Sequence, residues 1–242
     1  MFKFLKNIMN NEDVYLSNDA YSLHRILKTD IKKDPNVEED EIIFGCGCFW
    51  GAEKCFWKLP GVITTSVGYA GGEKNNPTYY EVCSGLTGHS EVVRVIWDKR
   101  EIDISDLLKM FWECHDPTQK NRQGNDFGTH YRSAIYYTNE NNLKTILSSK
   151  EQYQKELYKK NFGLIETEIK MIDKYHYAEE YHQQYLAKAG SRQYCSASPT
   201  KVKLGVFPGS NYKLKDHIWE NFNWEVDKCV LRSDNNPIKN NI

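Results

Sequence analysis

The run Gly45-Cys46-Gly47-Cys48-Phe49-Trp50-Gly51 sets a cysteine among glycines where a short apolar stretch gives way to a helix-like one. Unpaired backbone N–H groups at a helix start favour an anion. The Cys48 thiol is therefore expected to be acidified and nucleophilic near neutral pH. Phe49 and Trp50 beside it can wall an apolar slot, which suits a substrate that is apolar but carries one reactive polar atom. The plainer alternative is that Cys48 is a small buried hydrophobe, the ordinary fate of a cysteine; the flanking glycines weigh against it. An acid is wanted next. Glu91 heads a stretch whose alternation puts Glu91, Val93, Val95 and Trp97 on one side and Val92, Arg94 and Ile96 on the other. A carboxyl beside such a row is expected to be part-buried, with a raised pKa. It could then hold a proton near neutrality and give it to an oxygen. An exposed strand-end glutamate is the competing reading.

These groups must be held by a core. Glu41 to Cys46, with Ile42, Ile43 and Phe44, reads as a buried strand. The helix after it carries Ala52, Cys55, Phe56 and Leu59, and Pro60-Gly61 ends it. Val62 to Tyr69 and Glu91 to Trp97 read as strands. Ser105 is the expected N-cap of a helix bearing Leu107, Leu108, Phe111 and Trp112. Tyr131 to Tyr137 is strand-like. Asn139 should cap a helix through about Lys159, with Leu143, Ile146, Leu147, Tyr153 and Leu157 facing in. Leu164 to Ile172 reads as a strand and Tyr177 to Lys188 as a helix. Strands and helices are interspersed without strict alternation, which predicts an α+β fold, a mixed sheet with packed helices. Residues 1–39 are read as an extension with a short helix around Tyr21 to Leu27, 40–198 as the catalytic domain, and 199–242 as an extension that packs back partly through Ile218, Trp219, Phe222 and Val226.

The bulk properties exclude more than they assign. A net charge of -1, from 32 basic and 33 acidic residues, gives no field for nucleic acid or a membrane surface. No apolar stretch approaches the roughly 18–20 residues that span a bilayer. Seven cysteines, without the spacing of a secreted disulfide framework, fit a reducing compartment. The start Met1-Phe2-Lys3-Phe4-Leu5-Lys6 is too short for a secretory signal and lacks arginine, so a cytoplasmic protein is expected, acting as a monomer.

At this point the residues resemble a known family. Gly47-Cys48-Phe49-Trp50-Gly51 is similar to the signature of the A-type peptide methionine sulfoxide reductases, and Thr78 to Gly85, Gly88 to Val93, Gln123 to Tyr136 and Glu180 to Leu186 resemble further blocks in the family's order. The likeness runs from about residue 40 to 198. It implies a two-layer α/β sandwich. It implies Cys48 as nucleophile, Phe49 and Trp50 as the wall for the substrate's S-methyl group, and Glu91 as the acid. Tyr79 and Tyr131 would bind the sulfoxide oxygen, and Asp126 falls on a substrate-binding position. Loss of methionine would leave Cys48 as a sulfenic acid, which a second thiol condenses to a disulfide. Cys195 falls where relatives often place that thiol. The resemblance further implies thioredoxin as reductant, selectivity for the S epimer, and no metal or organic cofactor.

Other thiols stay open. Cys229 could relay, and Cys46 could pair with Cys48, although such a close pair is strained and a passive thiol is favoured. Cys55, Cys83 and Cys114 read as structural. His89, His130, His176 and His182 lack the paired spacing of a zinc site with Cys46 and Cys48. A redox sensor that docks a partner on the tail, or a thiol peroxidase, would share the thiol logic; continuous turnover and the choice of peroxide or sulfoxide distinguish them.

Overall fold

The computed structural model describes residues 22–226 and 229–240, leaving aside the Cys229 side chain. The run Met1 to Lys6, Tyr21 and the Cys229 thiol thus lie outside the described residues. Among the described residues, eight strands form: β1 (Glu39–Cys46), β2 (Val62–Ala70), β3 (Ser90–Asp98), β4 (Arg122–Gln123), β5 (Asp126–Phe127), β6 (Ser133–Tyr137), β7 (Glu168–Met171) and β8 (Tyr175–Tyr177). Six of them make one sheet in the order β7-β6-β1-β3-β2-β8. All its pairs are antiparallel except β6 with β7. That parallel pair needs a crossover, which is supplied by the helix Leu143–Lys159. The mixed α+β class expected from the sequence is the one observed.

The helices are α1 (Phe49–Trp57), α2 (Tyr79–Cys83), α3 (Ile104–Cys114), α4 (Leu143–Lys159), α5 (Asp216–Trp219) and α6 (Cys229–Arg232). The strand alternation decides the layers. Val93, Val95 and Trp97 of β3 join Ile42 and Phe44 of β1 in the core beneath α1 and α3, while Val92 belongs with Ile43 and Tyr136 on the other face. Phe44 stacks on Phe56 of α1 and Phe111 of α3, with ring centres 4.8 and 5.1 Å apart. Arg94, on the second face, is buried against Glu41 at 2.6 Å.

Several elements differ from expectation. The cap of α3 is Asp103, not Ser105: its carboxylate accepts from the Ser105 N–H at 2.9 Å. Carboxylates are strong acceptors for the free N–H groups at a helix start. Leu147 of α4 is exposed, as is Leu164, and the strand expected from Leu164 shrinks to β7. Tyr131 precedes β6, in a single helical turn over Thr129–Tyr131. The helix expected over Tyr177 to Lys188 is absent. After β8 come two single turns, Glu180–His182 and Tyr185–Ala187, separated by Gln184 at φ 44°. The amides of residues 183 and 184 explain the break. Gln183 pairs with both backbone groups of Val67, at 2.9 and 2.8 Å, and Gln184 binds Glu53 twice, at 2.8 and 2.7 Å. Side-chain bonding of this kind outcompetes the helical ladder.

The flanks also pack. Residues 22–27 turn rather than form a helix, and His24 and Ile31 are buried, His24 bonding Thr65 at 2.9 Å. In the tail, Ile218, Phe222 and Trp224 are buried, but of this stretch helix α5 covers only Asp216–Trp219, and Val226 is exposed. Farther on, the stretch 233–236 is laid across α1. Lys54 donates to the Ser233 carbonyl at 2.7 Å, Trp57 to that of Asn235 at 3.0 Å, and Lys58 to those of Asp234 and Asn236 at 3.0 and 3.1 Å. Lys54, in α1, and Lys58, its C-cap, are almost wholly buried.

Candidate active site

The turn between β1 and α1 is built by Gly47. Its φ of 84° is left-handed, and a Cβ there would stand 2.5 Å from the Gln123 Cβ. Glycine alone fits such a position. Cys48 follows as the N-cap of α1, with no side-chain capping bond. The next N–H, that of Phe49, donates to Glu91 Oε2 at 3.1 Å. Glu91 lies on β3 opposite Tyr69 of β2 and is 2% exposed; Cys48 is 9% exposed.

This geometry corrects the expectation for the thiol. The helix start does attract a carboxyl, but it is that of Glu91. Burial drives the Cys48 thiol well above its ordinary pKa; the Glu91 charge adds to the rise, and the Trp50 N–H opposes it. The resting sulfur is therefore a neutral thiol. Glu91 behaves as expected: burial raises it to about 8, against the lowering effect of the Phe49 N–H. It carries a proton at neutrality. One consequence is measurable. Alkylation of Cys48 by iodoacetamide in the resting protein should rise only above pH 9, and Glu91→Gln, by removing the neighbouring charge, should move that midpoint down. A midpoint near 7 in the parent protein would contradict this account.

Around the pair is a box of rings. Trp50 stacks on Tyr185 at 3.8 Å between centres, and its Nε1–H donates to His182 Nδ1 at 3.1 Å. That bond assigns the proton of the neutral imidazole to Nε2, an atom buried without a partner. Burial holds the His182 pKa down at about 3. Phe49, Tyr79 and Tyr181 pack round the same imidazole, at 5.1, 4.5 and 4.2 Å. Tyr79, at the start of α2, is anchored by its N–H to Glu179, whose other oxygen accepts from the Tyr69 hydroxyl at 2.8 Å. Tyr79 and Tyr131 are both buried, and both phenols are pushed far up, by burial first and the Glu91 charge second. They remain protonated donors. Asp126, on β5, is buried; Oδ1 accepts from the Tyr194 hydroxyl at 2.6 Å and Oδ2 has no partner. Cys195 follows Tyr194, and its sulfur lies against the first turn of α1, where a Cβ on Gly51 would approach to 2.5 Å.

The structure thus gathers Cys48, Phe49, Trp50, Tyr79, Glu91, Asp126, Tyr131 and Cys195 about one turn. His182, Glu179 and Tyr194 were not singled out by the sequence for this site. His182 and Glu179 sit in or beside the Glu180-to-Leu186 stretch, and only its density of rings and acids could have drawn notice. The four histidines weighed for zinc do not gather: His89 packs on His176, His130 on Tyr131, and His182 on the rings just described. The six described cysteines are thiols. A neutral thiol, a protonated carboxyl and two phenols in an aromatic box can attack a soft atom while delivering a proton to an oxygen bonded to it.

Comparison with known proteins agrees. A family model described as peptide methionine sulfoxide reductase matches residues 40–207. The chain is 52% identical over 180 residues to the peptide methionine sulfoxide reductase MsrA of Vibrio vulnificus, covering 74% of this chain and 86% of that one. It is 57% identical over 160 residues to the mitochondrial peptide methionine sulfoxide reductase of Mus musculus, covering 66% and 68%. Among solved structures, methionine sulfoxide reductase A of Corynebacterium diphtheriae superposes with a TM-score of 0.65 at 42% identity, covering 76% of this chain and 88% of that one.

Proposed function

The chain belongs to the peptide methionine sulfoxide reductase family, and from that premise we propose that its Cys48 attacks the sulfur of methionine sulfoxide while Glu91 protonates the departing oxygen. It is an oxidoreductase that returns methionine sulfoxide to methionine. The observation that carries the residue assignment is the 3.1 Å bond from Phe49 N–H to Glu91, which ties a protonated carboxyl to the residue after the thiol. The sulfoxide oxygen is a poor leaving group until protonated. With that oxygen among Glu91, Tyr79 and Tyr131, the carboxyl proton passes to it and the Glu91 carboxylate receives the proton of the Cys48 thiol. The Cys48 sulfur bonds to the substrate sulfur; that sulfur–sulfur bond and the sulfur–oxygen bond then break as the hydroxyl passes to Cys48, so that thiol plus sulfoxide gives sulfenic acid plus thioether. Phe49 and Trp50 face the S-methyl group, and Asp126 orients the substrate backbone. Family likeness supports the S epimer as the substrate.

Cys195 then attacks the sulfenic sulfur, forming the 48–195 disulfide and releasing water. A dithiol reductant restores both thiols by exchange, and thioredoxin, acting in a reducing cytoplasm, is the partner we infer. One turnover without reductant, followed by peptide mass mapping, tests this. The expected result is one methionine per chain and a bond between residues 48 and 195, and in Cys195→Ser a sulfenic acid at Cys48 that dimedone captures. A disulfide from Cys48 to any other cysteine would displace Cys195. Gly51→Ala should separate the two steps. Its methyl would collide with the Cys195 sulfur, so the first methionine should form normally while disulfide formation slows about 10–100-fold, the cost of an ångström of misplacement. Rapid-quench measurement of each step would check it.

A further inference from the structure

Three thiols that the reaction does not use converge behind the turn. Cys46 comes from the end of β1, Cys55 from α1 and Cys114 from the end of α3, and all are buried. Together with Cys195 they line one cavity of about 20 Å³, closed elsewhere by apolar groups such as Ala52, Pro199, Trp224 and Val230. The Cys46 and Cys114 sulfurs lie within 4.8 Å of each other, and Cys114 is within hydrogen-bonding reach of both Cys46 and Cys55. One ion with metal–sulfur bonds of about 2.3 Å spans at most about 4.6 Å between two sulfurs, so this spacing needs only a small adjustment. His115 shares the neighbourhood, but its nitrogens are engaged: Nδ1 donates to the Phe111 carbonyl at 2.7 Å and Nε2 accepts from the Ser133 hydroxyl at 2.8 Å. Among the described residues, the donor set is therefore sulfur only, and no carboxylate lines the cavity.

We propose that Cys46 and Cys114, with Cys55 beside Cys114, form a two-coordinate binding site for a single soft, monovalent d10 cation, with Cu(I) as the ion of that class. Thiolates in an apolar pocket select soft ions over magnesium, calcium or manganese. A single positive charge needs few deprotonated sulfurs to neutralise it, whereas zinc in a structural site takes four ligands. Each coordinating thiol gives its proton to solvent. A route exists: a groove of about 330 Å³, lined by Gly124, Tyr194 and Lys201, shares Cys195, Ala197, Pro199, Trp224 and Val226 with the thiol cavity. The site lies apart from Cys48, which does not line the cavity.

The test is an anaerobic titration of the reduced full chain with Cu(I) against the chelator bicinchoninate. One equivalent per chain should be withheld from the chelator, with an ultraviolet thiolate-to-copper absorption and a rise in the unfolding midpoint of the parent protein. Cys46→Ala and Cys114→Ala should each weaken binding by at least about 100-fold, since even outer partners of metal ligands cost 10–100-fold. Cys48→Ser and Cys195→Ser should leave binding intact. Near-ultraviolet circular dichroism shows whether each variant is folded; if Cys114→Ala is not, the parent's midpoint shift and Cys46→Ser decide. The proposal is overturned by the absence of both chelator competition and a midpoint shift. It is equally overturned if copper is lost in Cys48→Ser or Cys195→Ser and kept in Cys46→Ala, which would put the ion on the reactive pair.

Discussion

Cys48→Ser should reduce methionine formation to background with any thiol reductant, a loss on the order of 10⁴–10⁶-fold, the range seen when an enzyme loses its nucleophile. A hydroxyl is far less acidic than a thiol, and oxygen cannot take up the transferred oxygen as a sulfenic acid does. The rest of the site should survive the change. Cys48 makes no side-chain capping bond, and the Phe49 backbone N–H donates to the Glu91 side chain, so neither depends on the Cys48 sulfur. Substrate binding, measured by fluorescence of Trp50 in the box, should therefore stay within a few-fold of the parent while turnover vanishes. Residual turnover in the serine variant would remove Cys48 from the proposed role.

Glu91→Gln should lower the rate of the first methionine by about 10²–10⁴-fold, the usual worth of a positioned acid. The amide keeps the shape and can still accept from Phe49, so the loss reports the proton. Its pH signature has a definite sign. In the parent, Glu91 is protonated below about 8 in the folded state but loses its proton near the ordinary 4.5 when unfolded. Between those values the native state binds the extra proton, so this group's contribution to stability is full at low pH and is lost as pH rises through the window. The variant should lack that decline. In activity, the parent's first-turnover rate should fall above pH 8 as the acid is spent, and the variant's slow rate should show no such limb. A limb that persists in Glu91→Gln would assign the proton to another group.

How much of this was legible beforehand differs by kind of information. The β3 alternation placed Glu91 beside the core because period-two patterning is local, and the glycines around Cys48 marked the turn because a left-handed residue has few other solutions. The thiol's ionisation was not legible. The helix start does take an acceptor, but that acceptor is the Glu91 carboxyl, arriving from 42 residues away. Tyr177 to Lys188 failed for a related reason: its spacing looks helical, but Gln183 and Gln184 spend their amides on β2 and Glu53. The thiol cluster was hidden because residues 46, 55 and 114 meet only through packing of three elements.

The strap over α1 makes the reactive end of the molecule answerable to a remote one. Its carbonyls are the solvent substitutes for two ammonium groups sunk into an apolar wall. If exopeptidases trimmed the chain back past Ser233, those charges would have to be rehydrated where they stand, and the helix holding them would be drawn outward. Wear at that margin would then age the catalyst from behind, with every residue of the pocket still chemically whole.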